Sequence, residues 1–250
     1  METGIAGKVA LVAAGSKGIG LATAKMLQAE GCRVSICSRQ PKGDEADHTF
    51  ACDLSMPDQI EAWLASAESA LGPCDILVTN TGGPPAGALA DITDEQWALG
   101  IESTLMNVVR LSRFALPGMM ARGWGRVVHV TSLAAHEPSP MLPISSTLRA
   151  GINALTKLQA TDCGPHGVTV NAVLPGHTMT DRQVHLAEII ARQQGITVEE
   201  ALAQQAAKTG MKRIADVDEI AAPIVFLCSQ AASYVSGVSL LVDGATVKGI

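Results

Sequence analysis

Val9-Ala10-Leu11-Val12-Ala13-Ala14-Gly15-Ser16-Lys17-Gly18-Ile19-Gly20 decides how the rest of the chain is read. It opens as a short apolar run, the pattern of a buried strand, and ends in a glycine-rich turn. Leu21-Ala22-Thr23-Ala24-Lys25-Met26-Leu27 then starts a helical pattern. Strand, glycine turn and helix in that order let a backbone come close to a pyrophosphate, and the helix start offers it unpaired N–H groups. An ordinary tight turn is the alternative that this stretch leaves open by itself.

The 250 residues suffice for one large domain with a full core, and 47% apolar against 17% charged residues describes a globular chain. A net charge of -6 without a basic block argues against nucleic acid or an anionic membrane as the main partner. The start of the chain has no signal-peptide core, and no apolar run reaches the length of a membrane span. Six cysteines (Cys32, Cys37, Cys52, Cys74, Cys163, Cys228) form no Cys-x-x-Cys pair, so no metal site and no disulfide framework is expected. They read as small buried residues of a reducing cytoplasm.

Further strands are predicted at Arg33–Arg39, His48–Asp53, Cys74–Asn80, Arg126–Thr131, Val168–Val173 and Val238–Val242. Helices are predicted from Pro57 to Leu71, from Thr93, through Met106 to Met120, from Ser145 to Cys163 and from Asp218 to Ser229. Thr93 with Gln96 and Thr197 with Glu200 have capping-box spacing. The polar stretch Gln40–Asp47 is too short for a crossover helix, and Thr178–Met211 reads as a polar helical insertion. Alternation of helices with short apolar strands predicts a doubly wound, mostly parallel α/β sheet of about seven strands in a single domain spanning 1–250, with 177–212 as a substrate lid. Ligands of such sheets sit at the carboxyl ends of the strands. Those ends carry Ala14–Gly20, Arg39, Asp53, Asn80–Gly83, Ser132 and Pro175–Gly176.

Together with Leu116-Pro117-Gly118-Met119, Val170-Asn171-Ala172-Val173-Leu174-Pro175-Gly176 and Tyr234-Val235-Ser236-Gly237, these residues resemble the short-chain dehydrogenase/reductase family, in its 3-oxoacyl-carrier-protein-reductase-like branch. The resemblance covers almost the whole chain. It implies a pyrophosphate cradle at Gly15, Ser16, Lys17, Gly18, Ile19 and Gly20, with Ala13-Ala14 where the family usually has Thr-Gly. It implies adenine contacts at Asp53 and Leu54, a ribose wall at Asn80 and Gly82, and a nicotinamide loop at Pro175, Gly176, Thr178 and Thr180. Arg39 stands where an acidic residue would select the free 2′-hydroxyl of NAD, and Lys17 lies beside it. Two cations there favour NADP(H), with NAD(H) possible. Two solvated surface charges are the alternative.

The family's chemistry uses a Ser, a Tyr, a Lys and an Asn. Ser132 keeps the first, but the other three positions carry Ser145, Arg149 and Thr104, and the only tyrosine is Tyr234, far along the chain. Arg149 could still grip the nicotinamide ribose but is a poor proton relay. His136 and His177 are candidate replacement acids. No Gly-x-Ser-x-Gly elbow supports a hydrolase. Two functions follow. One is an NAD(P)(H)-dependent oxidoreductase on a small-molecule carbonyl or secondary alcohol, with an atypical proton-transfer site. The other is an inactive member of the same fold, for which no cofactor is expected, that pairs with an active paralogue or regulates it. The helices Thr104–Met120 and Ser145–Cys163 and the strand Val238–Val242 resemble the family's interfaces, which implies a homo-tetramer or a hetero-oligomer.

Overall fold

The computed structural model describes residues 2–249. Seven strands, β1 (Val9–Val12), β2 (Arg33–Ser38), β3 (His48–Ala51), β4 (Ile76–Thr79), β5 (Gly125–Val130), β6 (Val168–Pro175) and β7 (Ser239–Val242), form one sheet. Its order is β3-β2-β1-β4-β5-β6-β7, and every pairing is parallel. The chain leaves β1 in one direction and returns to its other side at β4, so the switch point falls between them, directly below the glycine turn.

Both faces of the sheet are covered, which is why its strands are apolar without alternation. Val9 and Leu11 of β1 and Leu77 of β4 pack with helices α2 (Pro57–Leu71), α4 (Asn107–Arg122) and α5 (Pro143–Cys163). Ala10, Val12, Ile76 and Val78 point the other way, against α1 (Gly18–Ala29) and α8 (Val217–Cys228). The remaining helices are α3 (Asp94–Gly100), α6 (Asp181–Gln194) and α7 (Val198–Lys208). The expected capping boxes at Thr93/Gln96 and Thr197/Glu200 form, and Asp216/Glu219 adds a third.

Most boundaries shift by one or two residues, and the larger or more telling departures from the sequence reading have physical causes. The helix leading to Met120 begins at Asp94 and passes through a π-helical turn, Ile101–Met106, into α4. The inserted residue shifts the phase of the apolar face without breaking it, so the period gives no sign of it. Helix α5 starts at Pro143, whose fixed φ suits a first-turn position. Strand β6 runs on to Pro175, and β1 stops at Val12 because Ala14 takes a left-handed φ of 49°. The β2–β3 connection has no helix. It is pinned by Asp47, whose Oδ2 accepts Val34 N at 2.7 Å.

The segment expected to form the lid consists of α6 and α7 packed on each other through Ala187, Ala191 and Ala201. Its two ends are laced together by a parallel bridge between Thr178 and Ala215, with Met179 N donating to Ala215 O and Ala215 N to His177 O. Among the described residues no helix is long and apolar enough to cross a membrane.

Candidate active-site cleft

A cleft of about 1490 Å³ runs along the carboxyl ends of the strands. Its floor is the glycine turn. A side chain at Gly20 would put its Cβ 2.3 Å from Ala14 O and 2.8 Å from Asn80 Nδ2, and one at Gly15 would strike Ile36 Cγ2 at 2.6 Å. The turn therefore closes only with glycine at both positions. Lys17 precedes α1 without a side-chain cap, so the first N–H groups of this helix face the cleft. Asn80 ties β4 to the turn by donating Nδ2–H to Ala14 O at 3.3 Å. The strained position is thus Ala14, held between two strand ends.

At the β2 end stand Lys17, Arg39 and Lys42, all exposed, together with Asp53 and Leu54. Asp53 accepts Ser55 N and Ser55 Oγ at 2.9 and 2.8 Å, which holds its carboxyl below the usual range. The glycine cradle, the free helix start and the cations fit a dinucleotide.

The other half of the cleft gathers Ser132, Ser145, Arg149, Pro175, Gly176, His177, Thr178 and Thr180. Ser132 follows β5, and its Oγ accepts Ala134 N at 3.1 Å, leaving its own hydroxyl proton to donate. Arg149 is turned away from a ribose-gripping pose. Its Nη1 donates to Val130 O and Thr131 O at 2.8 and 2.9 Å, and its buried Nε has no partner. His177 is half-buried, with Gln183 Nε2 3.3 Å from its Nδ1. Burial lowers its pKa, against a smaller upward pull from Gln183 and with a further push down from Lys208.

Two expected residues stand apart. His136 is exposed beyond the 3-10 turn Leu133–Ala135 and is not among the cleft-lining residues, because that turn rotates it outward. Thr104 is fully buried on the π-helical turn, its Oγ1 unpartnered, and the neighbouring Ser103 lines the cleft instead. Of the lid's apolar residues Met179, Val184, Leu186, Ile189 and Ile190, only Leu186 reaches the cleft, while Ile190 packs between the lid helices. The sequence reading missed Arg182, Gln183 and Lys208, all cleft-lining. Arg182 donates Nη2–H to Pro84 O at 2.7 Å, across 98 residues of chain that no local motif connects.

A family model described as enoyl-(acyl carrier protein) reductase matches residues 13–245. The chain is 32% identical to a putative ketoacyl reductase of Streptomyces coelicolor, over 95% of this chain and 96% of that one. It is 33% identical to a D-beta-hydroxybutyrate dehydrogenase of Cupriavidus necator, over 96% and 98%. Among solved structures, the L-sorbose reductase of Gluconobacter frateurii complexed with NADPH and L-sorbose superposes with a TM-score of 0.93 at 32% identity, covering 100% of both chains.

Proposed function

Because the chain belongs to the short-chain dehydrogenase/reductase family, we propose that it is an NADP(H)-dependent oxidoreductase acting on a carbonyl or secondary alcohol. The observation that carries the cofactor reading is the cationic β2 end of the cleft, where Lys17, Arg39 and Lys42 line the wall. That end suits a 2′-phosphate better than a free ribose hydroxyl. The L-sorbose reductase and an actinorhodin ketoreductase, whose solved structures contain NADPH, support the same choice.

When bound, the nicotinamide supplies or accepts the hydride. In this reading the side chains do the rest. Gly18–Gly20 and the α1 start hold the pyrophosphate, Asn80 and Gly82 back the ribose, and Thr178 and Thr180 border the nicotinamide. The Ser132 hydroxyl donates a hydrogen bond to the substrate oxygen while its lone pair accepts Ala134 N–H. His177 moves the proton. Ser145 is too short and too weakly acidic to replace a phenol there. Arg149 orders the end of β5.

That pose of Arg149 also favours a second reading. With its fork on Val130 O and Thr131 O, the chain could be a non-catalytic subunit that binds nucleotide beside an active paralogue. Exposed apolar residues on α5 and around β7 (Leu158, Tyr234, Leu240) are consistent with assembly in either case. A cytoplasmic location belongs to the same proposal and follows the reducing reading of six free, buried cysteines. Calorimetry with NADPH and NADH, followed by nicotinamide absorbance on a panel of ketones, tests both. NADPH binding with ketone turnover supports the oxidoreductase. NADPH binding without turnover across the panel supports the subunit, and absence of nucleotide binding refutes both.

A further inference from the structure

Building on the oxidoreductase reading, we infer that the substrate half of the cleft takes an anionic carbonyl compound, an oxo acid whose carboxylate is held by Arg182 with Arg149 behind it. Arg182 is the second residue of α6, after its N-capping Thr180 and Asp181, and crosses the cleft to the β4 loop. Its guanidinium lies against Gly83. A Cβ there would sit 2.6 Å from its Nε and 2.9 Å from its Cζ. Arg149 approaches from α5 and is 5% exposed.

Among the described residues neither arginine has a carboxylate partner. The ion pairs among the described residues are Lys17–Asp181, Arg110–Glu102, Arg122–Asp75, His185–Glu188, Arg192–Glu188 and Arg213–Glu219. Three carboxylates line the cleft. Asp181 is paired with Lys17, and Asp53 is bound to Ser55, which leaves the exposed Glu137. Lys208 adds a third cation to this half.

A guanidinium withdrawn from water is costly unless an anion faces it. Main-chain carbonyls repay part of that cost at Arg149, through one nitrogen only, and a single carbonyl does so at Arg182. Arg182 contributes to pressing the pKa of Arg149 down to about 10, after burial. Each therefore gains from an oxyanion between them, and a carboxylate matches the fork of a guanidinium. The phosphates of a dinucleotide are the other possible source of that oxyanion. The α1 start and Arg39 already offer those phosphates partners, whereas Arg149 stands one helical turn from Ser145 with its Nη1 on Thr131 O, beside Ser132, so we assign the Arg182 site to the substrate.

The test uses the full chain loaded with NADP⁺, titrated calorimetrically with pyruvate, acetoacetate and levulinate and with the methyl ester of each. NADPH affinity is measured in parallel, for wild type, Arg182→Gln and Arg182→Lys. At least one acid is expected to bind about 10-fold or more tighter than its ester. Arg182→Gln should erase that preference, Arg182→Lys should retain part of it, and NADPH affinity should stay within about 3-fold. No acid preference in the wild type overturns the inference. So does an Arg182→Gln chain that loses NADPH affinity and keeps the acid preference, since the oxyanion is then a cofactor phosphate. Reduction of esters without acid preference leaves the oxidoreductase reading and removes this one. Acid preference without reduction of any compound does the reverse.

Discussion

His129 makes the fold acid-sensitive in a calculable way. It is the penultimate residue of β5, fully buried, one strand residue before the segment that delivers Thr131 and Ser132. Thr79 Oγ1 lies 2.8 Å from its Nδ1, and Gln159 Oε1 lies 2.9 Å from its Nε2. Gln159 Oε1 can only accept, so Nε2 carries the proton, Thr79 donates to Nδ1, and the neutral ring is satisfied on both sides. Burial lowers its pKa from 6.5 to about 4. A base whose folded pKa is depressed takes up more protons unfolded, so stability is complete near pH 7 and is lost as the pH falls from 6.5 toward 4. At pH 4.5 the loss is about 2.5 kcal/mol. The assay is urea denaturation at pH 7 and 4.5 for wild type and His129→Gln. The variant should be weaker at pH 7 by about 1–3 kcal/mol, through its broken hydrogen bonds. Its further loss on acidification should be about 2.5 kcal/mol smaller than that of the wild type. The depressed pKa values of His48 and His177 remain in both proteins and cancel in the comparison. Equal acid losses in the two proteins would refute the reasoning.

If His177 moves the proton, His177→Ala should cut ketone reduction by about 10²-fold, whereas Ser145→Ala should stay within about 10-fold. Reduction needs the protonated ring and the pKa is depressed, so kcat/KM should climb as the pH falls, go on climbing below about pH 6.5, and flatten in His177→Gln; an unchanged profile removes His177 from the mechanism. Arg39→Asp should lower the NADPH-over-NADH affinity ratio by about 10²-fold, and an unaltered ratio from competitive binding would show Arg39 to be a solvated surface charge. Gly20→Ala should cost about 1–3 kcal/mol and abolish detectable nucleotide binding, because its methyl meets a carbonyl at 2.3 Å; wild-type affinity in that variant would mean that the turn is not the pyrophosphate cradle.

How much of this was legible beforehand differs between scaffold and site. Strands such as Val9–Val12 and Ile76–Thr79 declare themselves because both of their faces are buried, and the glycine turn because Gly15 and Gly20 leave no room for a side chain. The capping residues Thr93 and Thr197 act through neighbours three positions away and are equally readable. Position in sequence placed Ser145 and Arg149 on the right helix but could not tell where the guanidinium would point. That is set by the free carbonyls at the end of β5, an element closed by tertiary contacts. His136 stands outside the cleft because one 3-10 turn suffices to rotate a side chain out of a pocket, which its place in the sequence does not show. Arg182 was invisible for a simpler reason: its meaning lies in Gly83 and Pro84, and nothing near Arg182 in the chain mentions them.

The bridge between Thr178 and Ala215 turns the intervening helices into a cassette. Both ends of the segment leave from one point, so its length and sequence can change without altering the spacing of β6 and α8. A different pair of helices grafted between these two residues would meet the same sheet and the same glycine turn. The helices can then drift, or be engineered, by exchange of one contiguous stretch, provided that Thr180 and Asp181, which touch the glycine turn, are kept.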